Sequence, residues 1–307
     1  MVLTTAHRST LALALLASAS AFAAPAKAPK ELPPKPSVAD VVKASKPAEW
    51  RPLDPENTMV IELPAGRVIV ELAPAFAPNT AANIRALVRE NYFDGLFVMR
   101  AQDGFVVQWG DPDEENPKPF KAPKTVKAEF TVPIKGAGAF TRLKEPDVYA
   151  PQVGHANGFP AARDPATGET WLPHCYGMVG VARDNGADTG NGSQLYTVIG
   201  HAPRHLDRNI TVVGRVVHGM PLLTVMPRGT GAAGFYEKPE QRTPITRVRM
   251  AADLPENERS KLEVMRTDSA SFQAVIEAQR NRGGPWTKVA AGRIDLCNAP
   301  IQVREQK

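Results

Sequence analysis

Apolar and polar residues alternate in a series of short runs, and turn-forming residues separate the runs. Residues 58–63 (TMVIEL) and 67–72 (RVIVEL) alternate on either side of Pro64-Ala65-Gly66, which reads as a β-hairpin. Further extended segments are expected at 96–100, 105–109, 177–182, 194–199, 210–217 and 245–251. Many short strands divided by turns point to a barrel or a sandwich. Two helices are expected among them. One spans 79–91, with Asn79 as its cap and Ala81, Ile84, Leu87 and Val88 at helical spacing. A shorter one at 220–226 carries Pro221 in its first turn. The expected domain is mainly β and covers 58–253.

The flanks read differently. Of the 29 prolines in 307 residues, eight fall within the first 57. No Gly-X-Y period exists, so collagen is excluded, and no apolar run reaches the ~18 residues that a membrane span needs. Residues 1–23 read as a secretory signal: His7 and Arg8 precede an apolar stretch, and Ala21-Phe22-Ala23 is an A-x-A cleavage site. The mature chain is expected in the periplasm or outside the cell. Residues 24–57, rich in Pro, Lys and Ala, read as a linker with no core of its own. In the extension 254–307 an amphipathic helix is expected over 256–281, from the spacing of Leu262, Met265, Phe272, Val275, Ile276 and Gln279. Gly283-Gly284-Pro285 ends it, and a short strand is expected at 293–297.

The net charge is +5, without a Lys/Arg-rich run, so a nucleic-acid partner is not expected. The only cysteines are Cys175 and Cys297. In an exported protein they invite a disulfide; two buried free thiols are the alternative.

Conventional catalytic motifs fail on context. Residues 229–234 match G-x-G-x-x-G, but Pro227, Pro239 and Pro244 surround them, so no strand and helix flank a dinucleotide site. His201 and His205 have helical ligand spacing, with Pro203 between them. His155, His174 and Cys175 form a second loose cluster, the basis of a weak metal-hydrolase reading. No G-x-S-x-G elbow exists. No metal or cofactor is expected.

Two other stretches carry more information. One runs from Phe97 to Asp111 and contains Arg100-x4-Phe105-x2-Gln108. The other contains Asn191-Gly192-Ser193-Gln194-Leu195-Tyr196, followed by Leu206-Asp207 and Thr211-Val212-Val213-Gly214-Arg215-Val216. Together they resemble the cyclophilin family of peptidyl-prolyl cis-trans isomerases, in an exported bacterial form. The resemblance implies a closed eight-stranded barrel capped by two helices, acting on proline-containing polypeptides, as a monomer. It implies Arg100 as catalytic donor, with Gln108 orienting it. Phe105, Val106, Tyr196 and Leu206 would line a proline pocket, and Gln194 and Ala182 would shape the groove. Strand alternation alone puts Arg100 and Gln108 on one face and Phe105 on the other, unless the turn at Asp103-Gly104 resets the parity.

The chain departs from the family pattern at several positions. Val106 stands where Met is common, Tyr196 where Phe is usual, Arg183 for Asn, Ile210 for His and Trp109 for Gly. His205 replaces an aromatic, which implies weak cyclosporin binding. An insertion at 144–176 reads as a lid or a partner surface. A proline-peptide binding module or chaperone with little turnover is the alternative function.

Overall fold

The computed structural model describes residues 32–306, apart from Glu114. The expected signal at 1–23 lies outside the described residues.

The main sheet has nine strands: β1 (Thr58–Leu63), β2 (Gly66–Leu72), β3 (Phe97–Ala101), β4 (Val106–Gly110), β5 (Met178–Val181), β6 (Leu195–Val198), β7 (Val212–His218), β8 (Thr243–Pro244) and β9 (Arg247–Met250). All pairings are antiparallel, in the order β8-β3-β4-β6-β5-β7-β2-β1-β9, and the sheet is strongly curled. Its two end strands belong to one chain segment. Within that segment Ile245 N donates to Leu96 O and Thr246 N to Glu62 O, each at 2.8 Å. The count is thus nine strands where eight were expected. Four α-helices lie among the described residues, two more than the expected caps.

The alternation has its physical cause in the core. Met59, Ile61 and Leu63 of β1, with Val68, Val70 and Leu72 of β2, enter one cluster with Ile84, Leu87 and Val88 of α2 (Pro78–Arg89). Helix α2 starts one residue earlier than expected, and Asn79 is not its cap. Ala77 holds the cap position without a side-chain bond. Instead the Glu129 carboxylate, 50 and 49 residues away in sequence, accepts from the backbone N–H of Asn79 and Thr80, each at 2.9 Å. A negative charge here satisfies orphan donors and opposes the positive end of the helix dipole. Helix α3 (Met220–Thr224) forms with Pro221 in its first turn.

A second core lies outside the main sheet, and it overturns the linker expectation for the described part of 24–57. Helix α1 (Val38–Ala44) begins with a Ser37–Asp40 capping box and lies against α4 (Ala270–Arg280) of the extension. Strand Trp50–Pro52 pairs with Leu262–Met265, which pairs with Val303–Glu305. Residues 262–265 are therefore strand, the extension helix is shorter than expected, and the terminal strand lies beyond 293–297. A sheet in the order Val132–Pro133, Glu169–Trp171, Phe159–Asp164, Gln152–Ala156, Phe140–Arg142 occupies most of the expected insertion. Trp50, Phe159, Trp171, Phe272, Val275, Ile276 and Leu296 bury one another where these pieces meet. Arg280 of α4 pairs with Glu145 at 2.5 Å. Arg51 reaches Glu71 of β2 at 2.6 Å, and Arg215 of β7 holds the other oxygen at 3.1 Å. Among the described residues no helix is long and apolar enough to cross a membrane.

Cys175 and Cys297 are bonded across 122 residues of chain. Closing so long a loop constrains the unfolded chain, and the Cys297→Ser variant should lose about 2–5 kcal/mol in denaturant unfolding. A thiol assay on unreduced, unfolded protein should find no free thiol. His155 offers a second test. It is fully buried against Phe272, and among the described residues neither ring nitrogen has a hydrogen-bond partner of good geometry. Burial, opposed by the nearby Ala299 backbone and aided by the Arg215 charge, pushes its pKa from 6.5 to about 3. Between those values the unfolded chain binds a proton that the folded chain refuses, so stability should fall as pH drops through that window. Denaturation midpoints at pH 7 and pH 4.5 check this, and His155→Phe should flatten the difference.

Candidate active site

Three adjacent strands set one row of side chains. Arg100 on β3 stands opposite Gln108 on β4, and Gln108 stands opposite Tyr196 on β6. Cross-strand partners share a face. The register of β3 against β4 shifts between Val98 and Arg100, which aligns Arg100 with Gln108. Phe105 precedes β4 and belongs to the turn: its N–H donates to Gln102 O at 3.2 Å, and Gln102 N to Val106 O at 2.9 Å. The turn therefore resets the parity, and Phe105 joins the same cleft as Arg100.

That cleft holds about 420 Å³. Every residue expected for it lines it: Arg100, Phe105, Val106, Gln108, Ala182, Gln194, Tyr196 and Leu206. Arg183 and Ile210, two of the departures, also line it. His205 does not and is exposed, while Trp109 is buried in the main core.

The guanidinium of Arg100 is held by neutral acceptors alone among the described residues. Nε donates to Ala233 O at 2.7 Å, one terminal nitrogen to Gln108 Oε1 at 3.0 Å, and the other to Gln102 Oε1. The nearest acid in sequence, Asp103, pairs with Arg228 at 3.0 Å. Burial lowers the Arg100 pKa from its ordinary value, yet an Arg stays protonated in a protein. Gln108 in turn donates through Nε2 to Gln194 Oε1 at 3.0 Å, and Gln194 donates to Asp111 O at 3.3 Å. Each amide is thereby fixed in one orientation. Ala182 N donates to Gln194 O at 3.0 Å, which sets the groove backbone.

Several site residues were not foreseen. Phe235 lines the cleft, with its ring centre 5.2 Å from the Arg100 guanidinium carbon; Phe105 lies at 5.6 Å. The loop that failed as a nucleotide motif delivers Phe235 and the Ala233 carbonyl. Ala233 has φ 52°, an uncommon left-handed conformation for a residue with a side chain. Gln102 sits inside the recognised stretch, but nothing in its spacing marks it as a ligand of Arg100. His174 and Cys175, weighed as metal ligands, are otherwise engaged. Cys175 is in the disulfide, and His174 bonds Asp207 and Tyr196.

Tyr196 needs a bare backbone opposite it. Gly180 on β5 is its cross-strand partner, and a Cβ at Gly180 would collide with the Tyr196 ring and hydroxyl. Gly180→Ala should therefore displace the ring, at a cost of about 1–3 kcal/mol. Thermal unfolding and the Tyr196 ring resonances would report both effects.

Comparisons with known proteins bear on the family and the fold. The model of the family described as cyclophilin type peptidyl-prolyl cis-trans isomerase matches residues 58–250. A probable peptidyl-prolyl cis-trans isomerase of Brucella suis is 30% identical over 190 residues, covering 61% of this chain and 81% of that protein. The human peptidyl-prolyl cis-trans isomerase-like 3 is 27% identical over 166 residues, covering 54% and 79%. The crystal structure of cyclophilin AquaCyp293 from Hirschia baltica superposes with a TM-score of 0.68 at 28% identity, covering 89% of this chain and 99% of that one. That last match reaches well beyond 58–250, so much of the second core is common to both. With the family model spanning more than half of the sequence, the chain belongs to the cyclophilin-type peptidyl-prolyl cis-trans isomerases.

Proposed function

We propose that the chain isomerises X-Pro bonds in exported polypeptides, with Arg100 as the catalytic donor. The observation that carries this reading is a partly buried guanidinium whose charge no carboxylate neutralises among the described residues. Rotation about a peptide bond faces a barrier of ~18–20 kcal/mol because resonance must be broken. In the twisted state the prolyl nitrogen regains a lone pair. An N–H aimed at that nitrogen stabilises the twisted state more than either planar one. Arg has five N–H groups, and three are engaged as described, which leaves two for a substrate. Neutral acceptors orient the group without cancelling its charge. Phe105, Val106, Tyr196, Leu206 and Phe235 offer the apolar wall on which a proline ring can rest while the preceding carbonyl turns. Closure of the curled sheet through segment 243–250 into the family barrel belongs to the same reading.

Export is supported by the leader-like sequence at 1–23 and by the disulfide, a bond that persists in oxidising compartments. N-terminal sequencing of the mature protein should begin near Ala24; a retained leader would argue against export. For catalysis, Arg100→Ala should lower kcat/KM for a short X-Pro peptide by about 10²–10³, the usual loss on removing one preorganised donor. Equal rates for wild type and variant would leave a proline-peptide binding module in place of the enzyme.

A further inference from the structure

The Tyr196 ring faces two ways. One side lines the cleft, and its hydroxyl turns from it into a buried polar chain. Asp207 Oδ1 accepts from the backbone N–H of His174 at 2.9 Å and contacts Nδ1 at 3.0 Å. A carboxylate only accepts, so Nδ1 carries the proton. In the neutral ring Nε2 then accepts from the Tyr196 hydroxyl at 2.8 Å. Asp207 Oδ2 takes Arg204 Nε at 2.5 Å, and Arg204 grips both Asp147 oxygens at 3.0 Å each. The side chains of His174, Asp207, Arg204 and Asp147 are 1–5% exposed.

Burial alone would raise the Asp207 pKa, but the His174 and Arg204 contacts outweigh it and hold the carboxyl below its ordinary value. Burial, with the Asp207 charge, pushes Tyr196 up, so its hydroxyl keeps its proton.

Such a chain is costly. A Phe would fill the Tyr196 site without burying a hydroxyl, and buried ionic groups seldom raise net stability over an apolar filling. What the chain adds is position. It fixes Tyr196 through its hydroxyl and Leu206 through the next residue, Asp207. Those are two walls of the proposed proline pocket. His174 and Asp147, at the two ends of the chain, both come from the 144–176 insertion. The disulfide holds the residue after His174.

We infer that His174 is a positioning residue for the prolyl wall, and that the 144–176 insertion is a buttress behind the pocket, tied to Tyr196 and Leu206 through His174, Asp207, Arg204 and Asp147. This rests on the isomerase reading above and assigns the insertion a role in it.

The test compares wild type with Tyr196→Phe, His174→Ala, His174→Gln and the double variant Tyr196→Phe/His174→Ala. Three quantities are read for each: kcat/KM on a short Ala-Pro peptide, the Kd of that peptide, and thermal unfolding. Leaving a buried partner unpaired should cost about tenfold in kcat/KM and weaken Kd in step, at temperatures where every variant is folded. The double variant should be no worse than the poorer single one, because both cut the same contact. His174→Gln, whose amide can accept from the hydroxyl, should recover most of the loss. Losses that multiply in the double variant would overturn the inference. So would wild-type kcat/KM and Kd in folded His174→Ala, with only the melting temperature lowered. If His174→Ala does not fold, Tyr196→Phe decides alone: unchanged Kd and kcat/KM in that variant sink the proposal. Failure of the catalytic reading would look different, as equal turnover by wild type and Arg100→Ala, while Kd would still report on the wall.

Discussion

A half-buried positive charge, with no counter-ion among the described residues, constrains the rest of the site. Removing a guanidinium from water costs free energy, and a carboxylate would be the simplest remedy. Here the remedy is a set of neutral oxygens: two side-chain amides and one main-chain carbonyl. Each has to be delivered by a different piece of chain. Gln108 comes from the neighbouring strand, Gln102 from the turn between the strands, and Ala233 from a loop more than a hundred residues later. The strained Ala233 backbone and the Gln108–Gln194–Asp111 relay follow from that need for orientation. The solution also keeps the charge available, which an ion pair would not.

The surroundings of this row are built in two layers. The main sheet packs its apolar face on α2 and holds the row on strands, where positions are fixed more firmly than on loops. Outside it, the segment before β1, the insertion and the extension form a second core that none of them could form alone. Trp50, Trp171, Phe272 and Leu296 come from all three. The disulfide and the Arg280–Glu145 pair tie the extension to the insertion, and Arg51–Glu71–Arg215 ties the entering segment to the main sheet. Tyr196 lies where the two layers meet, so the departure from the usual Phe has a partner in the insertion rather than standing alone.

Much of the fold is legible in the sequence. The hairpin, the strands around Arg100 and Gln108, and helix α2 all announce themselves by period, because their apolar faces pack on a single core. The expected cleft residues all reached the cleft. What stayed hidden depends on contacts that leave no local trace. Glu129 caps α2 from far along the chain, so Asn79 looked like the cap. Residues 32–57 read as a linker because their apolar residues are few and irregular. They are nonetheless ordered, since α1 and Trp50 borrow a core from the extension. Residues 262–265 carry apolar residues compatible with a helix, and pairing with two other strands made them a strand.

By itself the sequence determined the mainly β class of fold and the positions of most strands of the main sheet, which follow from the period of the apolar pattern. The cleft residues are legible only through the family resemblance carried by Arg100-x4-Phe105-x2-Gln108 and Asn191–Tyr196. Only the tertiary structure decided which way each polar atom faces. It aligned Arg100 with neutral oxygens, reset Phe105 through a turn, bonded Cys175 to Cys297, and turned the Tyr196 hydroxyl toward His174. The reason is physical: periodicity encodes which side of an element is buried, whereas hydrogen-bond partners are chosen by three-dimensional proximity among groups that burial has cut off from water.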